Sequence, residues 1–198
     1  MKWTAATNNL NKLREIRHIL DPYGIEVISL KDIGLDIHVV EDGSSFEENA
    51  FKKASEIYRY TKMPTLADDS GLMVDELGGR PGIFSARYAG QNATDEENNK
   101  KLINELKDVP MEKRTAGYAC SMVLMENEDN IYYGAGKCEG YILKEPRGSN
   151  GFGYDPFFYF PVLECTFAEM PEEKKNDISH RAAALRDLLR NMNIDSYL

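Results

Sequence analysis

Apolar residues recur along this chain at two spacings, and the switch between them predicts the order of its elements. Trp3-Thr4-Ala5-Ala6 reads as a short first strand. Leu10, Leu13, Ile16, Ile19 and Leu20 then fall on one side of a helix, which Asp21-Pro22-Tyr23-Gly24 ends. Residues 25–30 return to a strand pattern. Ser45-Phe46-Glu47-Glu48 has the form of a capping box, and Phe46, Ala50, Ala54, Ile57 and Tyr58 follow at helical spacing. A strand then runs through Leu66 and Ala67 and is expected to end at Asp68 and Asp69. Gly78–Gly82 is a loop by composition. Thr94-Asp95-Glu96-Glu97 opens another helix, with Leu102, Ile103 and Leu106 on its core side. Residues 116–125 and 131–138 read as strands joined by the acidic turn 126–130. A Gly-rich loop spans Gly148–Gly153, and its sequel carries Phe157 and Phe158 as core. The last helix starts near Ser179 and presents Ala182, Leu185, Leu188, Leu189 and Met192. Strands alternating with helices, plus a hairpin, predict an α/β fold with a mixed sheet.

The 198 residues, 42% of them hydrophobic, suit one globular domain or two lobes sharing a core. A net charge of -9 argues against a nucleic-acid polymer as partner, since such binding needs many basic contacts to phosphate. A nucleotide needs only a local basic pocket. Cys120, Cys138 and Cys165 form no C-x-x-C pair, so zinc and disulfide frameworks are not expected. No apolar run reaches membrane-spanning length and no leader stands at Met1, which together suit a reducing cytoplasm and no membrane.

Five motifs carry candidate chemistry. In Leu66-Ala67-Asp68-Asp69-Ser70-Gly71-Leu72, two adjacent carboxylates lie between apolar flanks, where like charge and lost hydration favour a divalent cation. A polar turn is the alternative, since Asp, Ser and Gly are ordinary turn residues. Thr7-Asn8-Asn9-Leu10-Asn11-Lys12 turns from strand to helix, where an anion or simple Asn capping fits. Glu41-Asp42-Gly43, followed by Glu47, Glu48, Asn49 and Lys53, offers either metal carboxylates or a Glu48–Lys52 surface pair. Gly148–Phe158 permits close backbone approach, with Phe152 and Tyr154 as rings for a nucleobase, or it is a tight turn into the core. The run ending Ile178-Ser179-His180-Arg181 puts cations in a first helical turn, against the helix dipole, as an anionic ligand would reward. Paired acids, the cations Lys12, Lys53, Lys175 and Arg181, aromatic rings and a Gly loop together suit metal-assisted chemistry on a nucleotide.

Six blocks in register resemble the Ham1-like non-canonical purine nucleoside triphosphate pyrophosphatases over nearly the whole chain. They are Thr7-x-Asn9-x-x-Lys12, Glu41-Asp42-Gly43-x-x-Phe46-x-Glu48-Asn49-Ala50, Ala67–Leu72, Gly79-x-Pro81-Gly82-x-x-Ser85-Ala86-Arg87-Tyr88, Gly151-Phe152-Gly153-Tyr154-Asp155-Pro156-x-Phe158, and Glu173-Lys174-Lys175-Asn176-x-Ile178-Ser179-His180-Arg181. The resemblance implies a single domain over residues 1–198: an elongated mixed sheet flanked by helices, with two lobes and an active cleft between them. It implies a cytoplasmic homodimer that needs Mg²⁺ and cleaves ITP, dITP or XTP to the monophosphate and pyrophosphate. It makes Asp69 the catalytic carboxylate and, with Glu41, a metal ligand, with Glu48 as the alternative second ligand. It assigns phosphate contacts to Thr7, Asn9, Lys12, Lys53 and Ser70, and counts Asn8, Leu10 and Asn11 of the same turn among the substrate contacts. Arg87 joins the substrate contacts, Phe152, Gly153, Tyr154 and Asp155 form the base loop, and Lys175, His180 and Arg181 complete the set. Relatives usually carry Gly or Ser where Asn8 stands. Another modified nucleotide as substrate, or a nucleotide-binding regulator without catalysis, are the competing readings.

Overall fold

The computed structural model describes residues 1–194; the expected domain runs on into 195–198, which lie outside the described residues. The elements follow in the order β1 (Lys2–Ala5), α1 (Leu10–Leu20), β2 (Glu26–Ser29), α2 (Phe46–Thr61), β3 (Thr65–Val74) and α3 (Asp95–Glu105). Then come β4 (Thr115–Met125), β5 (Ile131–Ile142), β6 (Phe158–Phe160), β7 (Cys165–Thr166), α4 (Glu172–Ile178) and α5 (His180–Asn191). The strands form one seven-stranded sheet in the order β2-β1-β3-β4-β5-β6-β7. β1 runs parallel to β2 and β3, whereas β6 runs antiparallel to β5 and β7, so the sheet is mixed as expected.

By contact density the chain divides into two compact units. The first holds Met1–Asp69, Cys120–Gly136 and the chain from His180 on. Its apolar clusters include Leu13, Ile16 and Leu20 of α1, Leu185 and Leu188 of α5, and Ala50, Ala54 and Ile57 of α2. The second holds Ser70–Ala119 and Lys137–Ser179, around an aromatic cluster of its own. There Tyr118 and Phe158, and Phe158 and Phe167, have ring centroids 4.8 Å apart. Each such tilted pair adds roughly 0.5–1.5 kcal/mol beyond the area it buries.

Several local expectations need correction. Leu10 is 70% exposed, because it is the first residue of α1 and precedes the face that Leu13, Ile16 and Ile19 bury. Ser45 accepts a hydrogen bond from the Glu48 N–H, but the Glu48 carboxylate turns to the Ser44 N–H and hydroxyl, so only half of that capping box forms. Thr94 and Glu97 complete theirs in both directions. The Glu48–Lys52 pair is replaced by Lys52 with Asp42, at 2.5 Å. α4 was not expected from the sequence, and β3 continues through the aspartates to Val74 instead of ending there.

In the first unit α5 lies directly on β5. A Cβ at Gly136 would stand 2.2 Å from the His180 carbonyl oxygen, and one at Gly134 would stand 2.3 Å from that of Ala184. The Ala135 N–H donates to Asp187 of α5 at 2.9 Å. The start of α5, with His180 and Arg181, is thereby fixed against the strand.

Candidate active site

The candidate chemistry begins with the period of a strand. Successive side chains in β3 point to opposite faces, so Asp68 and Asp69 part company at once. Asp68 accepts from the Lys12 ammonium at 2.8 Å and from the Arg181 guanidinium at 3.4 Å. Asp69 accepts from Asn49 Nδ2 at 2.9 Å, and Asn49 Oδ1 in turn accepts from the Gly43 N–H at 2.8 Å. The repulsion that the sequence suggested is thus relieved by geometry and by the chain's own cations. Both carboxylates are buried.

Local sequence explains how these groups arrive. Asn9 caps α1, its side chain accepting from the Asn11 and Lys12 N–H groups, and Thr7 Oγ1 accepts from the Asn9 N–H. The cap holds Lys12 in the first turn of α1, from which it reaches Asp68. Asn8 donates to the Ile37 carbonyl, and Asn11 Oδ1 accepts from Arg14. Lys53, buried on α2, bonds Glu41 at 2.7 Å. Arg181 also pairs with Glu15, a buried acid of α1. Arg181, expected among the substrate contacts, is therefore turned to two carboxylates of its own unit. His180, beside it in the first turn of α5, is buried too.

Charge sorts the two aspartates. Burial pushes the Asp68 carboxyl up, but Lys12, Arg181 and Lys53 outweigh it and hold the group well below the usual carboxylate range. Burial pushes Asp69 up as well; Lys53, Lys12 and the Asn49 bond pull it back, Glu41 adds repulsion, and its proton affinity stays raised. Burial lowers the Lys53 ammonium, but Asp68, Glu41 and Asp69 raise it further, so it stays charged. A buried carboxylate with raised proton affinity beside retained cations is suited to accept a proton from water. Glu15, Glu41, Asp68 and Asp69 thus share their surroundings with the cations Lys12, Lys53 and Arg181.

Among the described residues no group of three or more His, Cys, Asp or Glu side chains is arranged to hold a metal ion by itself. The donor set still suits a hard cation such as Mg²⁺, which typically uses one or two carboxylates together with substrate phosphates. Asp69 and Glu41 repel each other electrostatically, which a cation would relieve, whereas the Glu48 carboxylate accepts from the Ser44 N–H and hydroxyl.

The second unit assembles the aromatic loop. Asp155 accepts from the Phe152 N–H at 2.9 Å and from Lys175 Nζ at 2.6 Å, and Lys175 also lies 4.7 Å from the Phe152 ring centre. The sequence grouped Lys175 with the phosphate cations; its neighbours place it with this loop. Tyr154 is buried and donates to the Ser85 carbonyl at 2.7 Å, so of the two expected stacking rings it is core, and Phe152 is the half-buried one. The Arg87 guanidinium lies 5.1 Å from the Phe84 ring centre. Ser70 opens this unit, next in the chain to Asp69.

A model of the Ham1 family matches residues 3–191. The chain belongs to the Ham1 family. A Ham1 relative from Geobacter sulfurreducens, named dITP/XTP pyrophosphatase, is 51% identical over 91% of this chain and 90% of its own. One of the same name from Clostridium perfringens is 46% identical over 96% of this chain and 97% of its own. The solved HAM1 protein of Coxiella burnetii matches with a TM-score of 0.86 at 41% identity, covering 98% of this chain and 100% of that one. The Ham1 protein of Staphylococcus aureus matches at 0.85 with 37% identity, covering 98% of each.

Within that family setting, two residues of the carboxylate cluster had no role in the sequence reading. Glu15 looks like a solvated helix acid next to Arg14; its one signal is the i, i+3 spacing from Lys12, which puts both on one face. Asn49 appears in the motif but shows no chemistry until Asp69 is seen beside it.

Proposed function

We propose that this chain hydrolyses non-canonical purine nucleoside triphosphates (ITP, dITP and XTP) to the monophosphate and pyrophosphate. The observation that carries the reading is the 51% identity over 91% of the chain with a relative named dITP/XTP pyrophosphatase. The raised proton affinity of buried Asp69 supports it. In this reading Asp69 orients a water and takes its proton as the oxygen attacks the α-phosphorus. The bond from that phosphorus to the bridging oxygen breaks, and pyrophosphate leaves. Lys12 and Lys53 hold the charge of the phosphates, with the Thr7–Lys12 turn beside them; stabilising developing charge is commonly the largest part of such catalysis. Asp69 and Glu41 would hold Mg²⁺, which when bound neutralises phosphate charge. A homodimer and a cytoplasmic location complete the reading on family resemblance; among the described residues no helix is long and apolar enough to cross a membrane.

Attack at the α-phosphorus predicts a definite product. With ITP, inorganic phosphate should appear only after an inorganic pyrophosphatase is added. Phosphate released at full rate without that helper enzyme rules the mechanism out.

Base choice is placed on the aromatic loop. Lys175 carries three donors and no acceptor, and it lies over the Phe152 ring. A base stacked on that ring with a 6-oxo group would satisfy the donor, whereas a 6-amino group would oppose it. A hydrogen bond to a charged partner contributes ~1.5–3 kcal/mol, so kcat/KM for ITP and XTP should exceed that for ATP by at least about tenfold. Lys175→Ala should narrow the gap. Equal efficiency on ATP and ITP in the parent protein contradicts the proposed substrate class.

A further inference from the structure

We propose that Asp95 and Asn99 of α3 are positioning residues that clamp Gly153 and thereby hold the Phe152 ring ready for a nucleobase. The proposal rests on the base-seat reading of residues 152–155 given above. The Gly153 N–H donates to Asp95 Oδ2 at 2.7 Å, and the Gly153 carbonyl accepts from Asn99 Nδ2 at 2.8 Å. These two bonds act on the two peptide planes that flank one α-carbon. Together they arrest rotation about both backbone dihedrals of the residue with the widest conformational freedom. Gly153 stands at φ +61, in the left-handed region, and a Cβ there would meet nothing within 4 Å. The glycine thus serves the backbone conformation alone and no packing contact.

Asn99 differs from its neighbour in how it spends its amide. Asn98 uses both ends, accepting from the Ala89 N–H and donating to the Ala86 carbonyl. Asn99 is buried, and among the described residues its Oδ1 has no hydrogen-bond partner, so the side chain's one bond there is the one to Gly153. Asp95 is exposed and makes its bond from the first turn of α3. On the other side, the Phe152 N–H is fixed by Asp155. With Gly153 clamped, the Phe152 ring keeps one orientation before a ligand arrives, and the ordering cost of binding is met in the free protein.

The test is a split between KM and kcat. Loss of uniform binding raises KM and leaves kcat unchanged. For a single neutral or singly charged hydrogen bond, KM for ITP should rise about threefold to tenfold in Asp95→Ala and in Asn99→Ala, with kcat within twofold of the parent. Ribose 5-triphosphate, which has no base, should keep its parental KM in both variants. Asp95→Asn retains an acceptor oxygen and should restore the parental KM. An equal rise for the base-free substrate, or no rise for ITP, overturns the clamp. Phe152→Ala separates the two levels of the argument. If it raises the KM for ITP while the α3 variants do not, the seat stands and the clamp falls. If it leaves the KM for ITP unchanged, the seat itself falls and the clamp with it. Because Asp95 is exposed, its variants keep the test free of any folding defect at Asn99.

Discussion

Asp69→Asn is expected to reduce kcat for ITP by at least ~10², the low end of what a general base contributes. The amide keeps an acceptor oxygen for Asn49 Nδ2, whose present bond is 2.9 Å. The fold should therefore survive, with an unchanged circular dichroism spectrum. The lost negative charge would also weaken Mg²⁺ binding, so turnover has to be compared at saturating Mg²⁺. A variant that keeps near-parental kcat under those conditions removes Asp69 from the chemistry.

The second large effect is on stability. Arg181 is fully enclosed between Asp68 and Glu15, both buried. Breaking a buried ion network by removing one partner costs about 3–5 kcal/mol, because it strands charge away from water. Against a typical total of about 5–15 kcal/mol, Arg181→Ala should move the urea midpoint far to the left. Glu15→Gln in the same background removes one of the buried anions that Arg181 had faced and should recover part of the loss. A change below about 1 kcal/mol would mean that water reaches the network freely. The sign of the acid response follows from the same pairing. Asp68 titrates below its ordinary 3.8 in the folded chain, so the unfolded chain takes up that proton first as pH falls. Its stabilisation is full above 3.8 and is lost as pH drops toward the folded value. With a cation removed, the variant's stability should fall less steeply over that acid range.

Much of this was legible in the sequence. The helix periods around Leu13 and Ile16, around Ala54 and Ile57, and around Leu185 and Leu188 each mark a face that the structure buries. The strands were legible as runs, and the mixed sheet followed from their alternation with helices. What was not legible depended on direction. Asp68 and Asp69 are neighbours in sequence, yet a strand sends them to different hydrogen-bond partners, which adjacency alone does not reveal. Glu15 looks like an exposed acid, and Lys175 and Arg181 like cations for a ligand, until partners far along the chain are known. Tyr154 and Phe152 look alike as rings, and only burial separates the core ring from the half-buried one. A hydrophobic pattern reports which residues leave water; it is silent on which buried charge meets which.

Gly134 and Gly136 carry a consequence for anyone who would transplant this chemistry. The backbone of α5 rests on bare strand at those two places, so the position of Arg181 depends on hydrogen atoms where other residues have methyl groups. A graft that copied only the carboxylates, lysines and arginine onto a new scaffold would leave out the bearing surface on which the arginine is seated. The smallest portable version of the site therefore includes a length of β5 that offers no functional side chain at all. Sequence drift at these two positions is constrained for the same reason: even alanine would have to lift a helix off its strand.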